Sequence, residues 1–204
     1  MKNIVSRHQK EIQIIYLNGA SSAGKSTLAR ALQNKFEQPF LVLGIDQMIF
    51  MMPEKFNDWH NETKVPGFSW QSIKDEQGNN VAYKIQTGPY GEHIVKALKD
   101  IVVALARTGN NVIIDDVSFG KEQVDEWRIA LKDFNVFWVA VNAPIEVIEK
   151  REKERGDRKL GSSRWQTERV HTGVTYDLTV NTHEQTVIEN VAIIIKKLNG
   201  KLYI

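Results

Sequence analysis

Gly19-Ala20-Ser21-Ser22-Ala23-Gly24-Lys25-Ser26 sets two glycines around four residues and follows the second with a lysine and a hydroxyl. Such a loop curls so that successive backbone N–H groups converge on phosphate oxygens, and the positive end of a following helix adds to their field. Lys25 would reach the β- and γ-phosphates of a nucleotide, and Ser26 would ligate Mg2+. Contacts to ATP are expected from Gly19, Ala20, Ser21, Ser22, Ala23, Gly24, Lys25, Ser26 and Thr27. The plain alternative is a glycine turn that caps an ordinary helix.

A phosphate loop does not by itself distinguish kinases from other nucleotide hydrolases, so the remaining chemistry rests on carboxylates and arginines. The base-reading Asn-Lys-x-Asp segment of GTPases is absent from the sequence. Asp46 stands at the end of the apolar run Phe40 to Ile45. There a carboxylate can take the proton of an attacking hydroxyl and orient it in line with a γ-phosphate, or merely cap the next helix. Asp115 and Asp116 follow Val112-Ile113-Ile114, the form of a strand whose terminal acid serves a Mg2+ shell. Asp115 is the better placed, a turn or cap role being the alternative, and strand alternation sends its neighbour to the other face. Arg155 and Arg158 flank Gly156 and could close over phosphates as a lid, or belong to a solvated helix. Arg151 fits that solvated helix especially well. His171 and His183 read as loop or cap residues, whereas Trp59, Phe68 and Trp70 are aromatics able to line an organic-substrate pocket.

The elements that must hold these residues alternate. Strands are expected at Ile12 to Leu17, Phe40 to Ile45, Val112 to Ile114, Val136 to Val141 and Leu178 to Val180. Helices are expected at Lys25 to Phe36, Asp46 to Met52, Pro89 to Arg107, Lys121 to Leu131, Ile145 to Arg155 and Thr186 to Leu198, the last burying Val187, Val191, Ile194 and Ile195. Residues 54–88 break the alternation, with Gly78-Asn79-Asn80 as a turn between two possible strands, and read as an insertion covering a substrate. Residues 151–164 read as the lid. Alternating strands and helices imply a parallel sheet covered on both faces.

With 42% hydrophobic and 25% charged residues over 204 positions, the chain has the makings of a single globular domain, 1–204. Its 27 basic and 25 acidic residues nearly cancel, which argues against nucleic-acid and membrane-surface partners. The lack of cysteine excludes disulfides and thiolate chemistry and suits a cytoplasmic location. Met1 to Gln13 lacks the apolar core of a signal peptide, and no apolar run approaches the ~18 residues of a membrane span.

Leu17-Asn18-Gly19-Ala20-Ser21-Ser22-Ala23-Gly24-Lys25-Ser26 closely resembles the opening of the chloramphenicol phosphotransferase family. Leu43-Gly44-Ile45-Asp46 with Met52-Pro53, Ile113-Ile114-Asp115-Asp116-Val117, Arg155-Gly156-Asp157-Arg158, Val170-His171 and Tyr176-Asp177 recur in the same order. The resemblance implies ATP-dependent transfer to a primary hydroxyl of chloramphenicol, with Asp46 as base and Arg155 and Arg158 near the phosphates. The sequence departs from the family between Pro53 and Gly88, where it is longer. The expectation is therefore a three-layer α/β fold, similar to nucleoside-monophosphate kinases, with a central parallel sheet of about five strands flanked by helices. Its chemistry would be in-line transfer from ATP with Mg2+ to a small hydroxyl-bearing acceptor. Alternatives are a kinase for another acceptor, such as a nucleotide-sugar kinase resembling the zeta toxins, or a nucleotide-binding regulator. Homo-oligomerisation is left open.

Overall fold

Ile14–Asn18 (β1) is buried along its whole length, as a strand covered on both faces must be. A computed structural model describes residues 14–156 and 158–201; Met1 to Gln13, including the expected strand start at Ile12, lie outside the described residues. The other strands are Phe40–Gly44 (β2), Phe68–Lys74 (β3), Asn80–Thr87 (β4), Asn111–Asp116 (β5), Val136–Asn142 (β6) and Leu178–Asn181 (β7). Five of them form one sheet in the order β2-β5-β1-β6-β7, and β3 and β4 form a separate pair. All pairings in the five-stranded sheet are parallel.

Strand alternation divides the core in two. Ile15, Leu17 and Ile113 face one side, against Leu28 and Leu32 of helix Lys25–Lys35 (α1) and Val191, Ile194 and Leu198 of helix Val187–Lys201 (α7). Ile14, Tyr16, Val112 and Ile114 face the other. There they meet Leu98 and Val102 of helix Pro89–Arg107 (α3) and Trp127 of helix Gly120–Ala130 (α4). Helices therefore cover both faces of the sheet, making the three expected layers. Val187, expected in the buried stripe of the last helix, is 39% exposed, because it is the first helical residue and stands at the cavity rim.

Pro89 opens α3 at its first turn, where its missing N–H costs nothing, and Gly109 follows its end with φ 87°. Residues 54–88 hold the antiparallel β3–β4 hairpin, whose Phe68 packs with Ile49 and Met52. Short helices Ile45–Phe50 (α2) and Ser162–Thr167 (α6) and helix Ile145–Arg155 (α5) complete the set; α6 was not foreseen in the sequence. Among the described residues no helix is long and apolar enough to cross a membrane.

Candidate active site

β1 ends in the sheet interior, flanked by β5 and β6, so the loop that follows opens at the carboxyl edge of the sheet, where ligands bind in open α/β folds. Backbone conformation shapes that loop. Ser22 has φ 63° and Gly24, directly before α1, has φ 94°, so the chain curls inward before the helix begins. A side chain at Gly19 would collide with the carbonyl of Val141. Ser21, Ser22, Gly24, Lys25, Ser26 and Thr27 line a cavity of about 1010 Å3, whereas Gly19, Ala20 and Ala23 do not. That volume stands at the upper end of small-molecule sites, large enough for two ligands.

Lys25 is 6% exposed, and its Nζ donates to the Ala20 carbonyl at 2.9 Å. Burial pushes its ammonium below the ordinary lysine range, and the charges of Asp115, Asp116 and Asp46 pull it back up. Ser26 Oγ donates to Asp115 Oδ2 at 2.5 Å. The pairing follows from register: Asp115 is on the same face of β5 as Ile113, which is the face α1 covers. Two hard oxygens this close, beside a phosphate loop, fit the donor set that Mg2+ takes alongside phosphate and water. Asp116 points to the opposite face, as alternation requires, and is buried with Tyr16 and Trp127.

β2 lies beside β5 with Gly44 opposite Asp115, and a side chain on Gly44 would strike the Asp115 carbonyl. The chain turns there into α2, whose first turn carries Asp46 to the cavity. Arg158 NH2 donates to both Asp46 oxygens, at 3.2 and 3.1 Å. Arg155 also lines the cavity. Thus Lys25, Ser26, Asp46, Asp115, Arg155 and Arg158 border one space. Phe68 and Trp70 line its far wall, but Trp59 stacks behind Phe68 at 6.4 Å and does not reach the wall.

Two features correct the sequence reading. Arg151 is not a solvated helix residue: it donates to Thr182 Oγ1 and the Thr182 carbonyl, each at 2.9 Å, and Thr182 Oγ1 donates to the Ala23 carbonyl. This ties α5 and the end of β7 to the phosphate loop. Gln166 on α6 accepts the Ser21 N–H at 2.7 Å, a contact with no sequence signal. Beneath it, Glu152 is 1% exposed and accepts from the Gly161 and Ser163 N–H groups and from both serine hydroxyls of 162–163. The segment carrying Arg158 is therefore held at both ends. His171 pairs through Nδ1 with the Tyr176 hydroxyl at 2.9 Å, and His183 lies exposed in the β7–α7 turn, so neither enters the cavity.

A glycine loop after a central parallel strand, with a lysine, a hydroxyl–carboxylate pair and arginines around one cavity, defines a P-loop kinase fold of the nucleoside-monophosphate-kinase type. The same fold occurs in the Mycobacterium tuberculosis APS kinase in complex with AMPPNP and APS, with TM-score 0.64 and 15% identity over 93% of this chain and 98% of that one. An unliganded sugar kinase from Janibacter sp. matches with TM-score 0.59 and 15% identity, covering 92% and 95%. The sequence matches the family described as Chloramphenicol phosphotransferase-like protein over residues 12–199. It is also 30% identical over 172 residues to proteins of two Mycobacterium tuberculosis strains, CDC 1551 and H37Rv, that bear the provisional name O-phosphotransferase, covering 84% of this chain and 76% of theirs. The chain belongs to the chloramphenicol phosphotransferase-like family, and its activity class is phosphotransferase.

Proposed function

We propose that the protein transfers the γ-phosphate of ATP to a hydroxyl of a small molecule, chloramphenicol or a compound of similar build. One observation carries this reading. Asp46, from the end of β2, opens onto the same cavity as Lys25 and the Ser26–Asp115 pair, so a proton acceptor and a phosphate cradle face each other. Phe68 and Trp70 give the same cavity an aromatic wall.

In this reading Lys25 leaves the Ala20 carbonyl for the phosphates, and the loop N–H groups hold them. Ser26 and Asp115 would hold Mg2+, which supplies charge neutralisation on the phosphate oxygens when bound. Arg155 and Arg158, on the lid 151–164, place positive charge where it spreads over the transferring group. Asp46 accepts the hydrogen bond of the acceptor hydroxyl, aligns it for in-line attack and takes its proton as the new O–P bond forms. The hairpin of residues 54–88 covers the acceptor. The test is a mass-spectrometric screen of hydroxyl compounds, chloramphenicol among them, with γ-labelled ATP and Mg2+. The reading expects label in a phosphorylated small molecule; tight nucleotide binding with no labelled product from any acceptor contradicts it.

A further inference from the structure

The second carboxylate of β5 is unused in that mechanism. Asp116 is 7% exposed, and its Oδ2 accepts three hydrogen bonds: from Tyr16 OH at 3.0 Å, Ser118 Oγ at 2.6 Å and Trp127 Nε1 at 2.8 Å. Burial, and then the Asp116 charge, raise the Tyr16 pKa well above its ordinary value, so that hydroxyl stays a donor. Oδ1 accepts no hydrogen bond from the described residues, and Asp116 borders the cavity. With one oxygen saturated by the protein, the other is open to the cavity and can take water or a donor from a ligand. A purely structural role would need only the first oxygen, which a neutral amide supplies as well.

The surroundings point to the kind of donor. Asp116 and Asp46 follow the carboxyl ends of neighbouring strands and line the same cavity. Farther along the same cavity stand Glu92 and Glu126 with a single lysine, Lys99, whose Nζ is 2.8 Å from Glu126 and 5.5 Å from the Trp127 ring centroid. With Arg158 engaged by Asp46, carboxylates outnumber cations on this side, which disfavours a phosphorylated acceptor. Phe68, Trp70 and Ile85 offer an apolar wall for the body of the molecule.

Building on the phosphotransferase reading, we propose that Asp116 is an acceptor-binding residue: its free oxygen accepts a hydrogen bond from a second donor on an apolar alcohol whose reacting hydroxyl meets Asp46. The substrate class is a non-phosphorylated alcohol with a second donor, an ammonium binding more tightly than a hydroxyl. The carboxylates near Lys99 disfavour nucleotides and nucleotide sugars as acceptors.

The experiment is calorimetric titration of the full chain, loaded with Mg2+ and a non-hydrolysable ATP analogue, with 3-phenylpropanol and its 3-hydroxy and 3-amino derivatives. A hydrogen bond to a charged group predicts that the amine binds roughly tenfold or more tightly than the parent alcohol, with the diol between. Asp116→Asn keeps one oxygen for Tyr16, Ser118 and Trp127 but turns an N–H2 group into the cavity, and should abolish that ratio. Thermal melting reports its fold. Glu126→Gln should leave the ratio in place, and its loss there overturns the assignment even where Asp116→Asn does not fold. Equal weakening of all three ligands in Asp116→Asn, a wild-type ratio near one, or no binding of any probe also overturns it. Running the three probes with ATP separates the two proposals. Transfer without preference keeps the kinase reading and removes Asp116, whereas preference without transfer keeps the Asp116 contact and leaves the kinase reading to be decided by the wider acceptor screen.

Discussion

Arg158 closes on Asp46 through a single guanidinium nitrogen placed almost equally from both carboxylate oxygens, at 3.2 and 3.1 Å. The two residues are 112 positions apart in the chain, one from the first turn after β2 and one from the segment after α5. Arg158 is the more enclosed partner, with 15% of its side chain exposed against 43% for Asp46. The cation proposed to serve the γ-phosphate thus waits on the proposed base, and a bound triphosphate competes for it.

In that exchange Arg158 acts mainly on charge that develops during transfer. Arg158→Ala is expected to lower kcat by roughly 10²-fold, the scale of a lost charge-stabilising donor, with a much smaller change in ATP dissociation constant. Steady-state kinetics beside calorimetric titration with ATP make the comparison. Equal losses in both would assign Arg158 to ground-state binding.

Glu152 anchors the same segment from below. In Glu152→Gln the remaining oxygen can serve Ser162 and Ser163, but the new N–H2 group faces the Gly161 N–H, donor against donor. A buried unsatisfied donor costs about 1–3 kcal/mol, so urea unfolding should show a loss of that size. An unchanged midpoint would mean that the 161–163 turn does not depend on this carboxylate.

Much of this arrangement was legible in the residues. Helices α3 and α5 end where the sequence places them, because Pro89 and Pro144 mark their starts and Gly109 and Gly156 follow their ends. Asp115 and Asp116 part to opposite faces because a period of two allows nothing else. What stayed hidden depends on partners distant in sequence. Arg151 and Glu152 sit in the run Glu149-Lys150-Arg151-Glu152-Lys153-Glu154-Arg155, whose composition reads as solvated. Only the arrival of Thr182 and of the serines at 162–163 makes them interior groups. Helix α6 has six residues and no apolar period, so its position is set by Glu152 and not by its own pattern.

His171 links stability to pH. Its folded-state pKa is lowered, first by burial, below the ordinary 6.5, with the Lys25 charge adding to the effect against the Val141 carbonyl. The Tyr176 hydroxyl accepts from Asn18 at 2.8 Å and shares a hydrogen bond with His171 Nδ1 at 2.9 Å. Between the lowered value and about 6.5 the unfolded chain binds a proton that the folded chain does not. The stability from neutral His171 is therefore full above pH ~6.5 and lost as pH falls toward the lowered value. Melting curves of wild type and His171→Gln from pH 8 to 5 should converge in sensitivity above 6.5 and diverge below it, the variant losing less. Parallel profiles would remove His171 as the cause.

Asp46 is the residue on which the proposed transfer depends most directly. Asp46→Asn keeps the size and one acceptor oxygen but removes the charge and the basicity. The measurement is single-turnover transfer from γ-labelled ATP to an acceptor confirmed with the wild type, with ATP affinity titrated on the same preparations. ATP affinity should survive, and the transfer rate should fall by roughly 10²–10⁴-fold, the range of a lost acid–base group. An undiminished single-turnover rate in Asp46→Asn would contradict the account.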